Sequence, residues 1–212
     1  MKKVFFGGSF DPPHYGHLGV AKAALLSGRC DEVVWFPAAA PPHKRHTGRA
    51  AFEHRFNMVK LLIDNLPCMS VSDFENKIRI FPSYTIEVLE KLETETGEKF
   101  GLLIGADSLL SLHTWHRAAE LVEKVELITY PRANYEVSVA GLQNFWDAGT
   151  AEKLFRTMLP GTFFEISSTE VKNSMEKNGF RNNIIEKAVF PEVIADYIRT
   201  NGLYAADNIT KG

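Results

Sequence analysis

Cysteine is scarce in this chain, with only Cys30 and Cys68 among 212 residues. Neither belongs to a C-x-x-C pair or to a Cys/His metal spacing, which argues against a disulfide framework or a zinc module and for free thiols in a reducing compartment. Long apolar runs are also missing; none approaches the ~18 residues of a membrane span. Met1-Lys2-Lys3 leads into only a few apolar residues, too short for a signal peptide. A cytosolic chain with no membrane partner is therefore expected. Excess charge of one sign is absent too. A net charge of −2 gives no support to wholesale nucleic-acid binding, so any positive potential has to be local. Repeats, low-complexity tracts and long linkers are lacking, and the length suits one domain spanning residues 1–212.

What the chain does contain is an alternation of short apolar runs and amphipathic stretches. Val4–Phe6, Glu32–Phe36, Ser70–Phe74, Lys99–Ile104, Val125–Tyr130 and Thr162–Ile166 read as strands. Ala51–Leu66, with Phe52, Phe56, Val59, Leu62 and Ile63 at helical spacing, reads as a helix, as do Ser83–Glu95, Ser167–Lys177 and Pro191–Thr200. Such alternation predicts an α/β fold with a parallel sheet, whose ligands sit beyond the carboxyl ends of the strands. Gly8–His17, Gly105–Ser108 and Ser167–Lys172 each follow a predicted strand and are expected on one rim. Arg132–Gly161 is the least readable stretch, with Phe145 and Trp146 suggesting a helical insertion.

The segment Gly7-Gly8-Ser9-Phe10-Asp11-Pro12-Pro13-His14-Tyr15-Gly16-His17 carries the sharpest signal. The glycines permit a tight turn and close ligand approach. Asp11 reads as a helix N-cap with Pro12 at the first helical position. His14 and His17, three apart, then share a face of the first turn. Free backbone N–H groups, a helix dipole and two imidazoles would converge on one point, which describes a phosphate site. Glycine punctuation with surface histidines is the plainer alternative, but H-x-G-H directly behind G-G-S-F-D-P favours phosphate.

Other elements admit two readings each. Ile166-Ser167-Ser168-Thr169-Glu170-Val171-Lys172 fits a capping box or a phosphate-binding helix start. Pro41-Pro42-His43-Lys44-Arg45-His46 is a cationic loop, either a solvated face or a phosphate contact through Lys44, with His43 and His46 as weaker candidates. Ser83 and Asp107 read as caps, and Trp115 as core, when each is taken alone.

Taken together, G-G-S-F-D-P-P-H-Y-G-H and I-S-S-T-E-V-K resemble the signatures of the nucleotidyltransferase superfamily of small adenylyl- and cytidylyltransferases. With P-P-H-K, Ser83-Tyr84-Thr85, Gly105-Ala106-Asp107-Ser108, Thr114-Trp115-His116 and Tyr197-Ile198…Leu203-Tyr204, the chain is similar to the bacterial nicotinate-nucleotide adenylyltransferase family from Val4 to Tyr204, with Arg132–Gly161 unaligned. The resemblance implies a Rossmann-like doubly wound sheet flanked by helices. It also implies transfer of AMP from ATP to nicotinate mononucleotide, with Mg²⁺ accompanying ATP, giving deamido-NAD and pyrophosphate. It assigns Gly7, Gly8, Ser9, Phe10, His14, His17, Gly105, Asp107, Ile166, Ser167, Ser168, Thr169 and Lys172 to ATP. It assigns Ser9, Phe10, Lys44, Tyr84, Thr85, Trp115, His116 and Arg132 to the mononucleotide. His14, His17, Lys44 and Lys172 are the residues it places in catalysis. Trp115 would stack on the pyridine ring, and Thr85 with the backbone near His116 would receive the carboxylate. His116 stands where many relatives carry a second aromatic, and Lys172 where many carry arginine. A superfamily member with another phosphorylated acceptor and a nucleotide-binding regulatory module without turnover remain as alternatives.

Overall fold

The computed structural model describes residues 2–39, 49–78, 80, 82–161 and 189–204. Five strands, β1 (Lys3–Gly8), β2 (Glu32–Pro37), β3 (Met69–Val71), β4 (Phe100–Gly105) and β5 (Leu127–Tyr130), form one sheet in the order β3-β2-β1-β4-β5. All four pairings are parallel. The chain builds outward from β1 through β2 to β3, then returns across β1 to place β4 and β5 on its other side. The order therefore reverses between β1 and β4. A crevice opens at such a switch point, beyond the carboxyl ends of the two strands.

Alternation along each strand sends side chains to two cores, because successive residues face opposite sides of a sheet. Val4, Phe6, Val33, Trp35, Leu103, Ile128 and Tyr130 share one face. There they pack with buried residues of α1 (Tyr15–Leu26), α2 (Phe52–Leu62) and α9 (Glu192–Thr200). Phe5, Val34, Phe36, Leu102, Ile104 and Leu127 occupy the other face. They meet α3 (Phe74–Ile78), α4 (Thr85–Thr96), α5 (Ala106–Ser111), α6 (Ala118–Lys124), α7 (Val139–Leu142) and α8 (Ala148–Phe155). Helices on both faces of a parallel sheet make the doubly wound, Rossmann-like α/β fold that the sequence predicts. No described helix is long and apolar enough to cross a membrane.

Several expectations are corrected by the structure. Helix α1 begins at Tyr15 with His14 as its N-cap, not at Pro12 behind Asp11. Pro13 follows Pro12, and a residue before proline is pushed out of the helical region. Asp11 instead accepts hydrogen bonds from the Ala50 N–H at 3.1 Å and the Tyr204 hydroxyl at 2.7 Å. Strand β3 stops at Val71, and Phe74 opens α3. The buried stripe of α2 is Arg55, Met58, Val59 and Leu62. Phe52 and Phe56 lie beside it, stacked on each other at 5.9 Å. Tyr84, not Ser83, is the N-cap of α4, and Gly105, not Asp107, is that of α5. Within Arg132–Gly161, α7 and α8 bury Leu142, Ala151 and Leu154 in the second core, while Phe145 stays exposed and stacks on His113 at 3.6 Å. Thr162–Ile166, Ser167–Lys177 and the 41–46 loop lie outside the described residues.

Leu103, 1% exposed on β4, an interior strand between β1 and β5, tests the core directly. Leu103→Ala is expected to destabilise the chain by about 2–5 kcal/mol, read as a lower urea midpoint by circular dichroism. A change within about 0.5 kcal/mol, the range of surface substitutions, would contradict the packing described.

Candidate active site at the strand-order switch

The turn after β1 is shaped by aromatic packing. The Phe10 ring is buried against Phe6 at 5.4 Å, Trp35 at 5.0 Å and His17 at 5.0 Å. Its backbone takes a φ of 46°, the left-handed region that non-glycine residues seldom enter. A Cβ on Gly8 would stand 2.8 Å from this ring. Glycine is thus required by the packing of Phe10, and the positive φ falls on Phe10 instead of on either glycine.

The two histidines meet as their spacing predicts, although one is the cap and the other the third helical residue. Their ring centroids are 3.8 Å apart. The His14 N–H donates to His17 Nδ1 at 3.3 Å. A neutral imidazole that accepts at Nδ1 carries its proton at Nε2, so His17 keeps one ring donor. His14 is 2% exposed, and its Nδ1 has no hydrogen-bond partner among the described residues. Burial, followed by the positive charge of Arg132, pushes His14 down to about 3. His17 is also held well below the usual histidine range, by burial first, then by His14 and Arg132. Both rings are neutral at pH 7 without ligand, and an arriving phosphate supplies the negative charge that would raise them.

Around this pair lies a cleft of about 280 Å³. Gly7, Gly8, Phe10, His14 and His17 from the β1–α1 side line it together with Gly105, Asp107, Thr85, Trp115 and Arg132. The expectation that Gly8–His17 and Gly105–Ser108 share one rim is met. Arg132, half-exposed, brings its Nε to 3.4 Å from Asp107 Oδ1. It also acts on both histidines, so its charge lies on the imidazole side of the cleft. Trp115 is half-buried at the wall instead of inside the core.

Tyr84 and His116 line an adjoining hollow that shares Ser83, Thr85, Ser108 and Trp115 with the cleft. Their rings stack at 4.3 Å, and His116 Nε2 lies 3.2 Å from Glu87 Oε1. Thr85 is the first residue of α4, whose Tyr84 cap makes no side-chain hydrogen bond to the first turn. That turn therefore offers backbone N–H groups and the positive end of the helix dipole. Ser9 does not line the cleft by its side chain; its carbonyl accepts from Arg55 at 2.7 Å. Lys44, Ile166, Ser167, Ser168, Thr169 and Lys172 fall outside the described residues.

Sequence reasoning missed Glu75 and Arg55. Glu75 is buried at the cleft, accepts from the Ser83 hydroxyl at 2.8 Å, and is raised above the usual carboxylate range by burial. Arg55 sits in the buried stripe of α2, and a charged residue at a core position was the available signal. Among the described residues no group of three His, Cys, Asp or Glu side chains could hold a metal ion. Mg²⁺ is commonly bound through substrate phosphates, waters and one or two carboxylates, and a cleft containing Asp107 fits an ion delivered in that way.

Comparison with known proteins shows the family and the fold. Residues 5–174 match the cytidylyltransferase-like family. The chain is 33% identical to the "Probable nicotinate-nucleotide adenylyltransferase" of Desulfotalea psychrophila, over 96% of this chain and 100% of the relative. It is 35% identical to the protein of the same name from Salinibacter ruber, over 96% and 98%. A Plasmodium falciparum nicotinic acid mononucleotide adenylyltransferase solved with NaAD has the same fold, with a TM-score of 0.75 over 96% of this chain and 98% of that one, at 22% identity.

Neutral buried histidines make apo stability pH-dependent. Below the unfolded pKa of ~6.5 the unfolded chain binds protons that folded His14 refuses, so stability falls as pH drops from 6.5 towards 3. Replacing His14 with glutamine is expected to flatten that part of the urea-midpoint profile relative to wild type. Parallel profiles would contradict the buried neutral ring.

Proposed function

From the premise that the chain belongs to the cytidylyltransferase-like family, and within it to the nicotinate-nucleotide adenylyltransferases, we propose that it joins ATP and nicotinate mononucleotide into deamido-NAD and pyrophosphate. The observation that carries this reading is one cleft with two recognition ends: an imidazole pair at the start of α1, and the open first turn of α4 beside Trp115.

In the reaction, a phosphate oxygen of the mononucleotide attacks the α-phosphorus of ATP. The bond from that phosphorus to the bridging oxygen of the β-phosphate breaks, and pyrophosphate leaves. No covalent intermediate on the protein is required. The work left to the protein is to hold two anions in line and to meet charge that develops on the transferring group. His17 donates from Nε2 to the α-phosphate, and His14 occupies the neighbouring phosphate position. The backbone of Gly8–Phe10 contacts phosphates, and Asp107 accepts from a ribose hydroxyl. Lys44, Ser167, Ser168 and Lys172 complete the triphosphate side in this reading. A Mg²⁺ ion held by the ATP phosphates, with Asp107 as a carboxylate of the cleft, would supply charge to neutralise the leaving pyrophosphate.

Recognition of the pyridine end rests on α4. Thr85 and the first-turn N–H groups present donors to a carboxylate, and the helix dipole favours its charge. Trp115 supplies the stacking face. Tyr84 and His116 brace each other at the edge of the hollow, with His116 turned to Glu87.

The direct test is pyrophosphate release with ATP·Mg²⁺ and a panel of phosphorylated acceptors. Nicotinate mononucleotide is expected to exceed its nicotinamide analogue by at least about a hundred-fold in kcat/KM, because an amide NH₂ facing donors leaves both sides unpaired. Equal values would reject the carboxylate pocket.

His17→Ala is expected to lower kcat by about a hundred- to a thousand-fold, the loss typical of one transition-state donor, with the circular dichroism spectrum unchanged. Turnover near wild type in that folded variant would remove His17 from its assigned role.

A further inference from the structure

Arg55 is 1% exposed, and among the described residues its hydrogen bonds run to backbone carbonyls at the edges of the site. Its Nε donates to the Ala50 carbonyl at 3.0 Å, one terminal nitrogen to the Ser9 carbonyl at 2.7 Å, and the other to the Ala38 carbonyl at 2.8 Å. One guanidinium thus joins the turn after β1, the end of β2 and the entry to α2. Arg55 reaches these carbonyls from three separate nitrogens held in one plane, whereas a lysine ammonium would have to serve them from a single nitrogen on a flexible stem. Asp11 and Glu75 are the carboxylates whose fields reach it, and Arg49 is the nearby cation.

Peptide planarity turns this hold into a statement about donors. In a trans peptide the C=O and the next N–H point in opposite directions. At Ala38 both ends of the peptide are in use: the carbonyl meets Arg55 and Arg49, while the Ala39 N–H donates to Glu75. At Ser9 the carbonyl is held in the same way, but no acceptor takes the Phe10 N–H among the described residues. Phe10 lines the cleft, and its φ of 46° is a conformation that needs outside support.

We propose that Arg55 is a positioning residue that, by gripping the Ser9 carbonyl, aims the Phe10 N–H as a phosphate donor. The inference builds on the adenylyl-transfer reading of the same cleft, but an anion alone can report on it. Arg55 does not touch substrate; it acts through the Ser9–Phe10 peptide.

The test compares the wild-type chain with R55K and R55A. Calorimetric titration with pyrophosphate reads the turn without any acceptor, and kcat and KM are measured with ATP·Mg²⁺ and nicotinate mononucleotide per folded enzyme. R55K is expected to weaken pyrophosphate about ten-fold and lower kcat about ten- to a hundred-fold, the scale of a small misplacement, while KM for the mononucleotide stays within about three-fold. Millimolar ethylguanidinium is expected to restore part of both in R55A, and ethylammonium neither. Unchanged pyrophosphate affinity in folded R55K, no guanidinium-specific rescue, or failure of both variants to fold would overturn the proposal. A wild-type chain that binds pyrophosphate, with R55K weakened as stated, yet makes no deamido-NAD would sustain the role of Arg55 and overturn the adenylyl-transfer reading.

Discussion

The site depends on how the chain leaves β1. Phe10 turns its ring into the core against Phe6, Trp35 and His17, and the backbone around it is fixed as a result. That burial requires glycine at position 8, places a left-handed residue in the turn, and sets one face of the His17 ring. A fully buried aromatic side chain contributes about 1.5–3 kcal/mol, comparable to the ~1–3 kcal/mol that one strained backbone conformation costs. Packing and strain are therefore of similar size. This is why the turn also needs the Asp11 bonds to Ala50 and Tyr204 and the Arg55 bond to Ser9.

On the proposed reading the cleft receives an anion that the overall charge does not advertise. The chain is slightly acidic, and its two site histidines are neutral in the absence of ligand because burial opposes their protonation. Positive potential comes from helix starts, from Arg132 and from Arg55 behind the turn. Such sources are local and preorganised. They cost nothing in reorganisation when charge develops on a transferring phosphoryl group. Arg132 is partly offset by Asp107 at 3.4 Å, which leaves the imidazole pair and backbone donors as the groups nearest the predicted reaction.

Much of this was legible in the sequence because its signals are periodic or local. His14 and His17 were three apart, and a helix start brings such residues together wherever it begins; the misplaced cap at Asp11 did not disturb the pairing. The unbroken apolar run Val4–Phe6 announced a strand buried on both faces. The illegible parts were those decided by distant contacts. Asp11 had the chemistry of a cap, but its partners lie 39 and 193 residues away. Glu75 carried no local signal, and Arg55 only that of a charge at a core position; the backbone carbonyls around one and Ser83 beside the other are brought there by the fold. His116 gave no sequence sign that it would stack on Tyr84 and face Glu87.

The central claim is that one cleft at the β1/β4 switch holds both reactants in line, with the reacting phosphates on the histidines and the pyridine at α4. A crystal structure with nicotinate mononucleotide and a non-hydrolysable ATP analogue tests it most directly. The account predicts the α-phosphate within hydrogen-bond distance of His17 Nε2, and the pyridine ring against Trp115 with its carboxylate at the Thr85 end of α4. A triphosphate bound away from His14 and His17, or a pyridine ring that does not touch Trp115, would contradict it.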